Sequence, residues 1–361
     1  MKREGLVLKV MFFFFFVVIS WINPVSDDLH AYVSPGNFYG QGELSVNVIN
    51  IPDTTAPVEL DVYTPSVSDT YPVVIFQHGF GGSIKAYETI SAQVASHGFV
   101  VILPQMYGPG FQDAPIAEEE AVLGLQIISW VEENINSHIP VIADTSLLGL
   151  TGHSRGGQVA YRMALQIPQK VKALAGVDPV DALGFAGQTP IITGPLNFDI
   201  PTYILGTGLG PIVVEGGPIE VACAPEEVGP IHFYCASPNP TWLVISTTHG
   251  HADMIDEEDF SEFCPGGPNR DGMRTLTGGT LAAFFSGILQ ENEGALSVLS
   301  SPESAPVPVT VEKNKTAGGA CGGEIPPSAI PTLSEWGMII FMTILLGTGV
   351  VALVRRRVTL K

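Results

Sequence analysis

The sequence predicts an α/β fold with a mostly parallel central sheet and helices on both faces. Three observations predict it. Short uninterrupted apolar runs recur through the middle of the chain, helical stretches alternate with them, and an alternating segment precedes the first run. Strand then helix, repeated, is the pattern of a parallel sheet covered on both sides.

Taken in order, residues 43–63 alternate enough to supply antiparallel edge strands. Residues 72–77 (PVVIFQ) form an apolar run of the kind found in a strand buried on both faces. Residues 84–96 have helical character, and 99–103 (FVVIL) read as the next buried strand. A long amphipathic helix is expected over 117–135, a strand over 147–151 and a helix over 158–166. Residues 171–177, 203–205 and 243–246 are further strands, and 276–289 is a closing helix. No internal repeat interrupts the series.

The chain has 361 residues, enough for one large domain with flanking segments. Hydrophobic residues make up 45% and charged residues 14%, which supports a sizeable core and argues against a largely disordered chain. Lys and Arg total 16 against 36 Asp and Glu, a formal net charge of -20. That balance disfavours nucleic acid as a partner, because phosphate contacts need clustered basic side chains. The acidic surplus suits the solubility of a secreted surface.

Both ends read as processing or membrane segments. Lys2, Arg3 and Lys9 precede the apolar run 10–22, as in a secretory leader, expected to occupy 1–31. The catalytic domain is expected over 32–292. A Pro/Gly/Ser-rich stretch at 293–328 shows no hydrophobic period and reads as a flexible stalk. Residues 329–361 then hold a short motif, an uncharged apolar run at 337–354 of spanning length, and Arg355, Arg356 and Arg357. The membrane is therefore an expected partner through that C-terminal helix. The four cysteines, Cys223, Cys235, Cys264 and Cys321, are permitted to pair outside the cytoplasm. Closeness in sequence favours Cys223 with Cys235, leaving Cys321 free or paired with Cys264. No CxxC spacing points to zinc.

Gly152-His153-Ser154-Arg155-Gly156 is a G-x-S-x-G sequence between a strand and a helix. In that context it marks the nucleophile elbow of an α/β-hydrolase fold, with Ser154 exposed on a strained turn. A serine hydroxyl needs a base, and in this fold the acid and then the histidine follow the serine along the chain. Asp178 directly follows the strand at 171–177 and is the expected acid; Asp181 is the neighbouring competitor, otherwise a cap or turn residue. Spacing does not separate His249 from His251, which both follow the strand at 243–246; His232 lies in the cysteine-bearing loop. An oxyanion hole needs two backbone N–H groups. Arg155, next to the serine, supplies one, and the loop His78-Gly79-Phe80-Gly81-Gly82 after the first buried strand supplies the other, expected at Phe80. His78 is expected to shape this loop by hydrogen bonding. Phe80, Met106, Tyr107 and Phe111 are candidates for pocket lining or for core. Asp253, Asp256, Glu257, Glu258 and Asp259 lack the spacing of a calcium loop and read as a solvated face. No metal or organic cofactor is required.

Two resemblances follow from ordered motifs. YPVVIFQHG, ASHGFVVILPQMY, GHSRGGQVA, GVDPVDA, LNFDIPTYILGTGLG, the CAP at residues 223–225 and GHADMID together resemble the chlorophyllases, across most of residues 57–285. The resemblance implies ester hydrolysis with a bulky apolar group, and a triad of Ser154, Asp178 and His251, the GH-DM pattern selecting His251. The same arrangement resembles lipases, platelet-activating-factor acetylhydrolases and polyester hydrolases. The run IPTLSEWG at 330–337 resembles the IPTL-CTERM sorting signal, which implies processing by a bacterial exosortase and a place in the cell envelope or outside the cell. The expected function is an exported serine ester hydrolase acting on a small-molecule or lipid-like ester. A surface-displayed binding protein with an idle hydrolase fold is the alternative of another class.

Overall fold

Strands that are buried on both faces must be apolar at every position, and that is how the centre of this sheet is built. The computed structural model describes residues 37–108, 110, 114–217, 220–256, 262–316 and 319–321. The expected leader at 1–31 and the expected spanning helix and basic tail at 329–361 lie outside the described residues. Among the described residues, no helix is long and apolar enough to cross a membrane.

Nine strands form one sheet: β1 (Val46–Ile51), β2 (Leu60–Pro65), β3 (Thr70–Gln77), β4 (Val100–Pro104), β5 (Ile142–Gly152), β6 (Val171–Val177), β7 (Thr202–Thr207), β8 (Thr241–Ser246) and β9 (Val309–Lys313). Their spatial order is β1-β2-β4-β3-β5-β6-β7-β8-β9. The strands β3 to β8 pair in parallel, while β1, β2 and β9 join antiparallel at the two ends. This is the α/β-hydrolase arrangement that the strand–helix alternation predicts.

The helices are α1 (Glu88–Ser96), α2 (Ala117–Asn134), α3 (Arg155–Gln166), α4 (Pro230–Ala236) and α5 (Arg270–Leu289). Because successive strand side chains point to opposite faces, each central strand feeds two cores. Val73, Ile75, Val100 and Ile102 pack with residues of α2, α3 and α4. Val74, Phe76, Val101 and Leu103 pack on the other face with residues of α1 and α5. Each such side chain, fully buried, contributes about 1.5–3 kcal/mol relative to exposure. The parallel direction of β3 to β8 brings their C-terminal ends to one edge, where Gln77, Gly152, Val177, Thr207 and Ser246 terminate their strands.

The C-terminal region corrects two expectations. The stretch 293–328 is not a stalk in its described part. Residues 293–300 and 302–304 form 3-10 turns, and β9 pairs with β8 from Trp242↔Lys313 to Ser246↔Val309. Val307, Val309 and Val311 pack against the α5 face, a period of two hidden among prolines. The cysteines pair as Cys223–Cys264 and Cys235–Cys321, not as Cys223–Cys235. Cys235 belongs to α4, and the chain beyond β9 returns to it, so neighbours in sequence give way to neighbours in space.

A chain ending at residue 321 is therefore expected to unfold as the intact domain does. One ending at residue 292 loses β9, exposes the edge of β8 and leaves Cys235 unpaired. Breaking the Cys235–Cys321 bond alone, by Cys321→Ser, should cost about 2–4 kcal/mol. Urea unfolding of the three proteins checks both statements; equal midpoints for all would refute them.

Candidate active site

The end of β5 turns into α3 through two residues, His153 and Ser154, and Ser154 has φ 56° and ψ -124°. A non-glycine residue held there stores about 1–3 kcal/mol of strain. Packing and hydrogen bonds hold it. The N–H of Ser154 donates to the Val177 carbonyl at 3.0 Å and that of His153 to the Gln77 carbonyl at 3.1 Å. The elbow is so tight that a Cβ on Gly156 would lie 2.3 Å from the Gln77 carbonyl oxygen. Glycine at this position is a steric requirement.

The structure brings Ser154, His251 and Asp178 together. His251 Nε2 lies 2.8 Å from Ser154 Oγ, and His251 Nδ1 lies 2.6 Å from Asp178 Oδ2. Asp178 follows β6 with φ 43° and is fully buried. It accepts two further bonds from one residue at the end of β7: the N–H of Thr207 donates to Oδ1 and its hydroxyl to Oδ2, each at 2.8 Å. These bonds hold the carboxylate against the imidazole, so that Nδ1 donates to Asp178 and Nε2 faces the serine as an acceptor. The arrangement can take a proton from Ser154 and leave an imidazolium against a carboxylate.

The other histidines are engaged elsewhere. His249, which spacing did not distinguish from His251, is buried; its Nε2 donates to the Asn269 carbonyl and Nδ1 meets the hydroxyls of Ser246 and Thr248. His232 lies 3.8 Å from Asp181, and Asp181 accepts the N–H groups of Ile191 and Ile192, a turn-shaping role. The expected solvated acidic face needs correction at its start. Asp253 is buried, and its Oδ2 accepts the N–H groups of Gly250 and Gly267, which fixes the loop bearing His251. A Cβ on Gly250 would lie 1.6 Å from the Pro265 carbonyl oxygen, so that loop too admits only glycine. Asp256 accepts the N–H of Thr89, whereas Glu257, Glu258 and Asp259 lie outside the described residues.

The loop after β3 runs beside the elbow. His78 donates from Nδ1 to the Gly79 carbonyl at 2.8 Å and accepts the Met106 N–H on Nε2 at 3.1 Å. Burial pushes the His78 imidazole down to about 4, so it stays neutral, as this donor–acceptor pair demands. Tyr107 braces the same loop, its hydroxyl accepting the Gly81 N–H at 2.9 Å. Met106 and Tyr107 are core residues, Phe80 is partly exposed, and Phe111 lies outside the described residues. Arg155 opens α3, where the first N–H groups have no intrahelical partner.

A second polar chain, not foreseen from the sequence, couples the three loops. The Gly79 N–H donates to the Tyr87 hydroxyl, which donates to His153 Nδ1 at 2.9 Å; His153 Nε2 donates to the His251 carbonyl at 2.9 Å. A carbonyl only accepts, so the tautomer of His153 is fixed. Burial, with His251 close by, holds its pKa well below the usual value. His153 occupies the first variable position of the G-x-S-x-G sequence, but Tyr87 stands 66 residues away with no spacing to betray it.

The chain is similar to known proteins over most of its length. The family model described as Chlorophyllase matches residues 35–316, and the IPTL-CTERM motif matches residues 328–357. Chlorophyllase-2 of Arabidopsis thaliana is 30% identical over 277 residues, covering 71% of this chain and 86% of that protein. The chloroplastic Chlorophyllase-1 of Citrus unshiu is 31% identical over 269 residues, 70% of this chain and 79% of that one. Cutinase 1 of Thermobifida cellulosilytica is 26% identical over 223 residues, 59% of this chain and 79% of the cutinase.

The neutral His78 makes stability depend on pH. Its imidazole falls from 6.5 to about 4 on folding, so between those values the unfolded chain binds more protons and stability drops as pH falls. By pH 5 this amounts to about 2 kcal/mol. Glu120, raised by burial from 4.5 to about 7, works in the opposite sense over its own window. The loss of unfolding free energy between pH 7 and pH 5 should therefore be smaller in His78→Asn than in the parent. Urea titrations of both proteins at both pH values measure the difference, and an equal loss would contradict the assignment.

Proposed function

The chain belongs to the chlorophyllase family and is an ester hydrolase of the α/β-hydrolase type; on that premise we propose that it is an exported serine hydrolase of a bulky apolar carboxylic ester. The observation that carries the mechanism is the run Ser154 Oγ, His251 Nε2, His251 Nδ1, Asp178 Oδ2, with separations of 2.8 and 2.6 Å.

In this mechanism His251 Nε2 takes the hydroxyl proton as Ser154 Oγ attacks the ester carbonyl. The electron pair of the carbonyl moves to oxygen, and the N–H groups of Arg155 and Phe80 donate hydrogen bonds to that oxyanion. Each such donor is worth roughly 10²–10³ in rate. The imidazolium, stabilised by Asp178, returns the proton to the leaving alcohol as the C–O bond breaks. Water, activated by the same histidine, then attacks the acyl-enzyme and restores Ser154. Thr207 serves by fixing Asp178.

An apolar substrate is supported by what borders this edge of the sheet. Ile212 and Val213 stand 50% and 41% exposed in the loop after β7, whose Leu209 N–H bonds the His249 carbonyl. Ile116 is 49% exposed just before α2, beside Gly187. Relatives named chlorophyllase and cutinase make chlorophyll-like and polyester-like esters the compounds to try first. Export is supported by four cysteines all paired in disulfides and by the IPTL-CTERM match. Residues 1–31 then act as a leader, and 329–361 as a sorting segment.

Purified protein is expected to hydrolyse p-nitrophenyl esters, with the rate rising with acyl length, and to bind a fluorophosphonate probe covalently. Ser154→Ala should lower kcat by about 10⁴-fold or more and abolish labelling. A folded protein that neither turns over any ester nor takes the probe would instead be an idle hydrolase fold. Chlorophyll in detergent, assayed alongside, tests the narrower substrate.

A further inference from the structure

Glu120 and Arg155 form a buried ion pair against the Phe80 and Tyr107 rings, and the proposed mechanism leaves both side chains unused. Glu120, in the first turn of α2, is fully buried, and Arg155 is only 1% exposed. Arg155 Nη2 donates to Glu120 Oε2 at 2.5 Å, and Nη1 donates to the Ala186 carbonyl at 2.7 Å. Taking two charges out of water costs several kcal/mol per ion, and no surface role recovers that cost. Charge neutralisation alone does not explain the geometry either. The guanidinium carbon lies 4.7 Å from the centre of the Phe80 ring and 5.2 Å from that of Tyr107. Tyr107 in turn holds the Gly81 N–H. A guanidinium stacked on two rings, pinned by one carboxylate, thus joins the loop after β3 to the first residue of α3. Those two segments carry the two N–H groups of the oxyanion hole, at Phe80 and Arg155.

We propose that Glu120 is a positioning residue: by fixing the Arg155 side chain against Phe80 it sets the spacing of the two oxyanion donors. It acts through Arg155 and does not touch the ester. This rests on the serine-hydrolase reading above. Remote control of this kind is possible because a donor misplaced by about 1 Å can cost on the order of 10²-fold. Glu118, also in the first turn of α2, lies apart from this contact; it pairs with Arg162 at 2.8 Å and contacts Thr189.

Glu120→Gln keeps the shape and one acceptor oxygen but removes the charge that pins the guanidinium. Full-length protein with this substitution is assayed on a p-nitrophenyl ester and titrated with dodecyl trifluoromethyl ketone, whose serine adduct places an oxyanion in the hole. The expected result is a kcat about 10-fold lower, KM within about twofold of the parent, and Ki for the ketone weakened in parallel with kcat, because the adduct mimics the transition state. Phe80→Leu, which removes the stacked ring, should do the same, and the double variant should be no worse than the poorer single one. Thermal unfolding of each variant ensures that the assay runs on folded protein; if Glu120→Gln does not fold, Phe80→Leu decides alone. Unchanged kcat, or lost activity with an unchanged Ki, overturns the proposal. If the parent itself fails to bind the ketone, it is the serine-hydrolase reading that falls.

Discussion

One steric constraint governs the architecture: Ser154 has to stand at positive φ between a strand and a helix. Nothing in the residue favours that conformation, so its surroundings must impose it. The impositions come from three directions: Gln77 at the end of β3, Val177 at the end of β6, and the first turn of α3. Each is available only because β3, β5 and β6 are adjacent and parallel, ending at the same edge. The strain is small beside the burial that opposes it, since both faces of these strands are packed. The sheet is in this sense the clamp and the serine the piece it grips.

The polar groups around the serine form two chains that meet at His251. One runs through its ring, from Ser154 to Asp178 and Thr207. The other runs through its backbone carbonyl, from His153 to Tyr87 and Gly79. The second keeps the imidazole of the first from drifting, and it ends in the loop proposed to hold the oxyanion. Apart from the half-buried Ser154 these groups are buried, so an unmade bond among them would leave a polar atom unsatisfied at about 1–3 kcal/mol. Completeness of the network is what makes the geometry rigid, and rigidity is what electrostatic stabilisation of a transition state requires.

The central strands were legible in the sequence because burial on both faces leaves uninterrupted apolar runs, as in VVIF of β3 and VVIL of β4. Ser154 was legible because an elbow needs small neighbours, and Asp178 because it ends a strand. β9 was not, because it lies at the sheet edge among prolines and only its valines mark it. Residue types and spacing could not choose between His249 and His251, since the choice depends on which imidazole the loop turns toward Ser154; only likeness to a known family separated them. Thr207 and Glu120 were invisible for different reasons. Thr207 looks like any strand residue, and Glu120 is one of three consecutive glutamates at a helix start, a pattern that reads as solvated. The cysteine pairing was beyond sequence reasoning altogether, because it is decided by the return of the chain past β8.

The Cys235–Cys321 bond has a directional consequence. β9 runs antiparallel to β8, so its Val309 end lies at the edge that bears Ser154 and its Lys313 end lies at the opposite edge. There Asn314 bonds Thr241 at the start of β8, Lys315 bonds the Tyr234 hydroxyl, and Cys321 is stapled to the last turn of α4. The six residues of β8 put about 20 Å between the two edges. The last described residue of the chain is thus tied down at the edge opposite Ser154, and a pull on Cys321 is borne by α4 and the start of β8 rather than by the loops that hold Ser154, Asp178 and His251.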